Sequence, residues 1–335
     1  MTPETIAFIG DGSWGTTLAV YLAQKKHPVF LWGAFPENIA AMKQQGENKK
    51  FLPGIRFPKD LHATSDLEEA IRNSSIVVLS TPSQYLDQVL KRIKKTHTYN
   101  SLKSKTLLSI VKGIDTRKLL CMSDLIQQEL GKLRFAVLSG PTIAREVALG
   151  VPSTAVVAST NHQAAKHIQK LFNSQTFRIY RSSDVAGVEL GGSLKNVIAI
   201  ACGVCDGLGY GTNTKSAILT LGLVEMIRLG THLGARAKTF YGLAGMGDLA
   251  TTCFNPLSRN RSVGQALGEG KTITQVLKHM NMVAEGVETS KAVEKISRRS
   301  HIDMPICHEV YQIITRNKSP KKAVSDLMSR KTKAE

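Results

Sequence analysis

Short apolar runs separated by stretches of helical period fill the first half of the chain, and helical periods alone fill the second. Expected strands lie at Ile6 to Ile9, Val29–Trp32, Ile76–Leu79, Thr106–Ile110, Phe135–Leu138, Ala155–Ala158 and Phe177–Tyr180. Between them, helical spacing is carried by Trp14, Leu18, Ala19 and Leu22; by Glu37 to Gln45, ended near Gly46; and by a segment that Ser65 and Asp66 begin. It returns in Gln84 to Ile93 and in Ala165, Ile168, Leu171 and Phe172. Lys49 to Lys59, broken by Pro53, Gly54 and Pro58, reads as a loop. Unbroken apolar strands alternating with helices predict an α/β domain built on a doubly wound, mostly parallel sheet.

Past about Asp184 the strand pattern stops. The segments VELGGSLKNVIAIACGV and AILTLGLVEMIRLG are apolar nearly all round, as buried helices are. Their frequent glycines cost helix stability and point to close approach of another helix or a ligand. Further helices are expected at Thr272–His279, Val287–Ser297 and Pro305–Thr315, before a charged, frayed tail from Arg330 to Glu335. The expected division is a dinucleotide-binding domain over residues 1–182 and an all-α domain over residues 183–335.

The first strand runs into Gly10, Gly12 and Gly15 in G-x-G-x-x-G spacing, with Ser13 and Trp14 between the last two. The first glycine permits a tight turn, the second lets the backbone approach a pyrophosphate, and the third lets the helix pack on the strand. Free N–H groups and the positive end of the helix dipole then face the phosphates. The motif alone is weak, but the strand before it and the helix after it supply the required context.

Composition narrows the class. A chain of 335 residues, 42% hydrophobic and 21% charged, has the make-up of a folded globular protein. No apolar run is expected to span a membrane, no signal-peptide pattern opens the chain, and a cytoplasmic location is the expectation. The formal charge of +18 is spread along the chain without interleaved aromatics, which favours a solvated surface over a nucleic-acid site. Such a charge also attracts phosphorylated small molecules. Five cysteines are an odd, scattered set read as reduced thiols, and the Cys202/Cys205 spacing lacks the second pair of a zinc ribbon.

Chemistry is expected beyond the carboxyl ends of the strands. Lys112 follows the strand Thr106–Ile110, and Ser139-Gly140-Pro141-Thr142 follows the strand Phe135–Leu138. Lys195 falls inside an apolar helical stretch, where lysine is seldom buried without a partner; a desolvated lysine can exchange a proton near neutrality. Its alternative is a lysine snorkelling from the helix edge. Asp248 is expected in a glycine-rich turn, and Ser258, Arg259 and Asn260 in a loop whose guanidinium suits a phosphate.

The segments GDGSWGTTLA, VKGI, SGPTIAREV, VELGGSLKNVIAIACGVCDGLGYGTN, GLAGMGDL and SRNR, in this order, resemble bacterial NAD(P)-dependent sn-glycerol-3-phosphate dehydrogenases. The resemblance implies a Rossmann domain followed by a helical one, and interconversion of glycerol 3-phosphate with dihydroxyacetone phosphate for glycerophospholipid synthesis. It implies Lys195 as general base beside Asp248, and Lys112 in contact with substrate and nicotinamide. Gly140, Thr142, Asn196, Thr252, Ser258, Arg259 and Asn260 are implied as substrate contacts. The implied cofactor contacts are Gly10, Gly12, Ser13, Trp14, Gly15, Ala34, Lys112, Ala144, Arg259, Val283 and Glu285. No metal is implied, and a homodimer is expected.

Ala34 departs from that family's pattern, in which a basic residue or histidine is frequent. It provides neither the acid that takes a ribose 2′-hydroxyl nor the arginine that takes a 2′-phosphate, so NAD and NADP both stay open. The rival readings are another two-domain dehydrogenase acting on a hydroxyacid or sugar acid, and a dinucleotide-binding regulator that holds nucleic acid.

Overall fold

The computed structural model describes residues 2–278, 280 and 282–331; the expected helix end at His279 and the tail residues Thr332 to Glu335 lie outside the described residues. Eight strands form one sheet: β1 (Ile6–Ile9), β2 (Val29–Trp32), β3 (Leu61–Thr64), β4 (Ile76–Leu79), β5 (Thr106–Ser109), β6 (Arg134–Ser139), β7 (Ser153–Ala158) and β8 (Phe177–Ser182). Their order is β3-β2-β1-β4-β5-β6-β7-β8. Neighbours are parallel except β6 and β7, which pair antiparallel.

The sheet is covered on both faces, and its neighbouring strands β1 and β4 carry apolar side chains at every position. In β1, Ile6 and Phe8 enter one core cluster while Ala7 and Ile9 enter another. Strand order reverses between β1 and β4, which is the switch point where such sheets bind ligands. The expected doubly wound, mostly parallel sheet is therefore found.

Among the elements that escaped the sequence reading are one strand and one helix of the first unit. The strand β3 reads LHAT, with Leu61 and Ala63 as its only buried apolar side chains, and it lies at the sheet edge. A helix over Met122–Leu130 follows β5 and packs Leu125 and Ile126 against the second cluster.

The chain separates into two compact units, one of Met1–Lys112 with Leu120–Glu189, the other of Gly113–Leu119 with Leu190–Glu335. The division runs through a single helix, Val185–Gly207, whose start is capped by Asp184 Oδ1 accepting from Gly187 N at 3.0 Å. That helix has 23 residues and is apolar enough to cross a membrane, contrary to the expectation that no run would be. Its most apolar 18 residues are all buried, and it carries Glu189, Lys195 and Asp206, so it is the core helix of a folded domain.

The described residues of the second unit beyond this helix form helices and turns without strands. Its glycines do allow close helix approach. A Cβ on Gly203 would lie 2.0 Å from the Arg261 carbonyl oxygen, and one on Gly264 would lie 2.0 Å from that of Ile200. The helices Val185–Gly207 and Arg259–Gly268 therefore touch backbone to backbone. A side chain on the helix Thr212–His232 also ties elements together: buried Glu225 accepts from Ile306 N at 2.6 Å and Cys307 N at 3.1 Å. These are free donors in the first turn of the helix Pro305–Arg316.

Gly264→Ala must push these two helices apart, at a cost of about 1–3 kcal/mol, and urea unfolding checks the lowered midpoint. Burial pushes the Glu225 carboxyl up to about 7 from its ordinary 4.5, against the pull of the two N–H donors. The native state therefore keeps a proton that the unfolded chain releases, and this group's contribution to stability falls as pH rises through the window from 4.5 to about 7. Thermal melts of wild type and Glu225→Gln across that window should show wild type losing ground to the variant as pH rises.

Candidate functional site

In the first unit the glycine turn follows β1 and abuts β4. Gly10 has φ +128°, and a Cβ there would be 2.7 Å from the Ser80 backbone; a Cβ on Gly15 would be 2.6 Å from Gly10 O. Ser80 Oγ donates to Gly10 O at 2.8 Å, tying the turn to the end of β4. Around Gly12, by contrast, a Cβ would meet nothing within 4 Å. The backbone is thus open on the side where the helix Ser13–Gln24 starts, and Gly12 is its N-cap in extended conformation. An open backbone before the positive end of a twelve-residue helix fits a pyrophosphate.

Two side chains that sequence reasoning missed hold this turn. Asn48, buried, donates through Nδ2 to Asp11 O at 2.8 Å and to Thr16 Oγ1 at 2.9 Å, and Thr16 Oγ1 donates to Asp11 O at 3.1 Å. No spacing rule links Asn48 to the turn, since it arrives from the loop after the second helix. Thr17 Oγ1 donates to Ala144 O at 3.2 Å, bringing Ala144 beside the helix Ser13–Gln24. Trp14 packs edge-on to Phe177, with ring centroids 6.4 Å apart, so its indole is engaged by the core. Ala34 lies exposed just past β2.

Beyond β5 and β6, Lys112 Nζ donates to Gly140 O at 3.4 Å and Thr142 Oγ1 donates to the same oxygen at 3.2 Å. The structure therefore brings Lys112, Gly140 and Thr142 together. Gly140 has φ +146°, and a Cβ there would lie 2.9 Å from Ala155 Cα.

In the second unit Lys195 is 6% exposed and Asp248 is fully buried. Lys195 Nζ donates to Asp248 Oδ1 at 2.6 Å and to Thr252 Oγ1 at 2.5 Å, while Thr252 Oγ1 donates to Asp248 O at 2.7 Å. This excludes the snorkelling alternative: the ammonium turns inward to a carboxylate. One turn before Lys195, a Cβ on Gly191 would lie 2.3 Å from Ala244 O, itself one turn before Asp248. The contact of two backbones at Gly191 and Ala244 sets the lysine opposite the aspartate.

Two local expectations are corrected. Asp248 does not sit in a glycine turn: Leu243–Gly247 form a turn of π-helix, and Asp248 opens the helix Asp248–Phe254. The glycines there permit tight winding rather than chain reversal. Nor are Arg259 and Asn260 in a loop, because Ser258 caps the helix Arg259–Gly268 by accepting from Arg261 N at 3.3 Å. Arg259 is thereby placed in a first helical turn, where the dipole also favours an anion.

Asn260 Nδ2 donates to Asn196 Oδ1 at 2.9 Å, and Asn260 Oδ1 accepts from Gly286 N at 2.9 Å. That amide caps the helix Glu285–Arg299 from outside, whereas Arg259 donates through one guanidinium nitrogen to Val283 O at 2.8 Å. Lys195, Asn196, Asp248, Thr252, Arg259, Asn260, Val283 and Glu285 thus form one connected neighbourhood in this unit. Cys202 and Cys205 are buried free thiols on the helix Val185–Gly207, and burial, with the neighbouring Cys202 and Asp206, pushes the Cys205 thiol up to about 12. Such a thiol is inert at neutral pH.

The profile described as the N-terminus of NAD-dependent glycerol-3-phosphate dehydrogenase matches residues 5–165, and that of its C-terminus matches residues 184–325. The chain belongs to this family. A glycerol-3-phosphate dehydrogenase described as acting with NAD(P)+, from Citrifermentans bemidjiense, is 47% identical over 99% of both chains. The crystal structure of the Coxiella burnetii glycerol-3-phosphate dehydrogenase is 35% identical and superposes with a TM-score of 0.93, covering 98% of this chain and 99% of that one. The Saccharomyces cerevisiae enzyme superposes at 0.80 with 30% identity, covering 98% of this chain and all of that one.

Gly191→Ala should separate Lys195 from Asp248 without touching the glycine turn of the first unit. The expected outcome is a fall in turnover of about a hundredfold. Steady-state rates paired with nucleotide titration check it, and retained nucleotide affinity shows that the first unit is intact.

Proposed function

We propose that this chain interconverts sn-glycerol 3-phosphate and dihydroxyacetone phosphate, and works mainly in the reducing direction to supply glycerophospholipid synthesis. The chain is an NAD(P)-dependent oxidoreductase of the glycerol-3-phosphate dehydrogenase family, acting on a CH–OH group. The observation that carries the assignment of roles is the buried Lys195, Asp248 and Thr252 cluster. When bound, the nicotinamide supplies or receives the hydride.

Reduction of the ketone needs a proton at the oxygen on C2. Lys195 Nζ is the donor, and in the reverse direction the same nitrogen takes the proton back. Asp248 and Thr252 hold that nitrogen in place, and the ammonium stabilises negative charge developing on the oxygen. Arg259 and Asn260, with Ser258, receive the phosphate end at a helix start, and Asn196 fixes Asn260. Lys112, Gly140 and Thr142 complete the substrate contacts. Gly10, Gly12, Ser13, Trp14, Gly15, Ala34 and Ala144 are assigned to the dinucleotide, and the family resemblance is the ground for adding Val283, Glu285 and Arg259.

Free thiols throughout support a reducing, cytoplasmic setting. Leu221 and Val224, exposed three residues apart on the helix Thr212–His232, support a homodimer. Lys195→Ala should lower the rate by about a hundredfold to ten-thousandfold, as loss of a general acid-base group does, while leaving dinucleotide affinity unchanged. Rates followed by nucleotide absorbance with dihydroxyacetone phosphate, and with hydroxyacids and sugar acids as controls, check it; turnover near that of wild type would sink the role given to Lys195.

A further inference from the structure

The glycine turn carries a carboxylate with no role in holding a pyrophosphate. Asp11 lies between Gly10 and Gly12, and its side chain crosses to the end of β2: a Cβ on Gly33 would meet Asp11 Oδ2 at 2.9 Å and its Cγ at 3.0 Å. Gly33 is the first residue past β2, and its N–H donates to Thr64 O at 3.1 Å. Asp11 Oδ2 is buried and has no hydrogen-bond partner among the described residues. The main chain beneath it is pinned, because Asp11 O accepts from both Asn48 and Thr16.

The corner past β2 is where a dinucleotide fold reads the adenosine ribose. An acid there accepts a hydrogen bond from the 2′-hydroxyl, and a basic residue there takes a 2′-phosphate. Ala34, the residue of this chain at that place, does neither. Asp11 brings a carboxylate to the same corner from the turn after β1. Burial raises its carboxyl against the pull of its own backbone N–H and, more weakly, of the exposed Lys50, whose ammonium sits over the Phe51 ring at 5.2 Å.

We propose that Asp11 is the specificity-determining residue for the nucleotide: its unpartnered oxygen accepts the ribose 2′-hydroxyl of NAD and repels the 2′-phosphate of NADP. This rests on the dinucleotide reading of the glycine turn. An acceptor with no partner gains one from a hydroxyl, whereas a phosphate brings a second anion and no proton to share. Lys50 is long and solvated, so its compensation is weaker than the repulsion from a carboxylate fixed on a pinned backbone.

The test is a fluorescence or calorimetric titration of the whole protein with NADH and with NADPH, for wild type, Asp11→Asn and Asp11→Ala. Wild type should bind NADH at least about tenfold more tightly than NADPH. Both variants should narrow that ratio by about tenfold, chiefly by tightening NADPH, since both remove the charge. Asp11→Asn keeps the shape of the side chain, so retained NADH binding there shows an intact turn. A wild-type preference for NADPH, or an unchanged ratio in both variants, would overturn the assignment of Asp11. If wild type bound neither nucleotide, the dinucleotide reading itself would fall, and this inference with it.

Discussion

A buried cation must have an anion beside it, and that requirement organises the second unit. Lys195 and Asp248 are both withdrawn from water, where removal of either partner would leave an uncompensated charge. Their pairing depends on a backbone approach one helical turn away, at Gly191 and Ala244, closer than any larger residue permits. The glycines that weaken Val185–Gly207 as an isolated helix are therefore the condition for its chemistry. Thr252 completes the arrangement by satisfying both the lysine and the first carbonyl of its own helix, so the ammonium is held by two oxygens from adjacent turns.

The same economy recurs where Asn260 links two helices. Its amide donates to Asn196, next to Lys195 in sequence, and accepts from a first-turn N–H of Glu285–Arg299 that would otherwise be orphaned. Rigid placement of a polar site here comes from side chains that cap and bridge helices. The apolar packing around them is generic: buried thiols, alanines and leucines fill the volume, and the shifted Cys205 thiol shows an environment that suppresses reactivity.

How much of this was legible in the sequence depends on how local each signal is. The apolar runs IAFI and IVVL announce buried parallel strands because every side chain is covered. LHAT does not, since an edge strand with His62 turned out carries half the apolar signal. Glycines at positions 242, 245 and 247 read as a turn because glycine permits both reversal and tight winding, and only packing against the helix Val185–Gly207 decides for winding. Ser258 was a usable start signal, but Arg261 stands where a capping box has Glu or Gln, so the stretch looked like a loop. The pairing of Lys195 with Asp248 spans 53 positions and no spacing rule could reach it.

Nucleotide selection shows the same limit from the other side. The rule that looks for an acid after the second strand assumes that a function is supplied by the element nearest to it. β1 and β2 are parallel neighbours that end side by side, and a residue of the loop after either can reach the same corner. Gly33 leaves the volume into which Asp11 extends; with a side chain at position 33 the carboxylate would be displaced. Position 34 is uninformative because the neighbouring glycine has made room for a group from the first turn. The glycine turn therefore does more than seat a pyrophosphate: with Asn48 fixing its backbone, it aims a charge at the part of the nucleotide by which NAD and NADP differ.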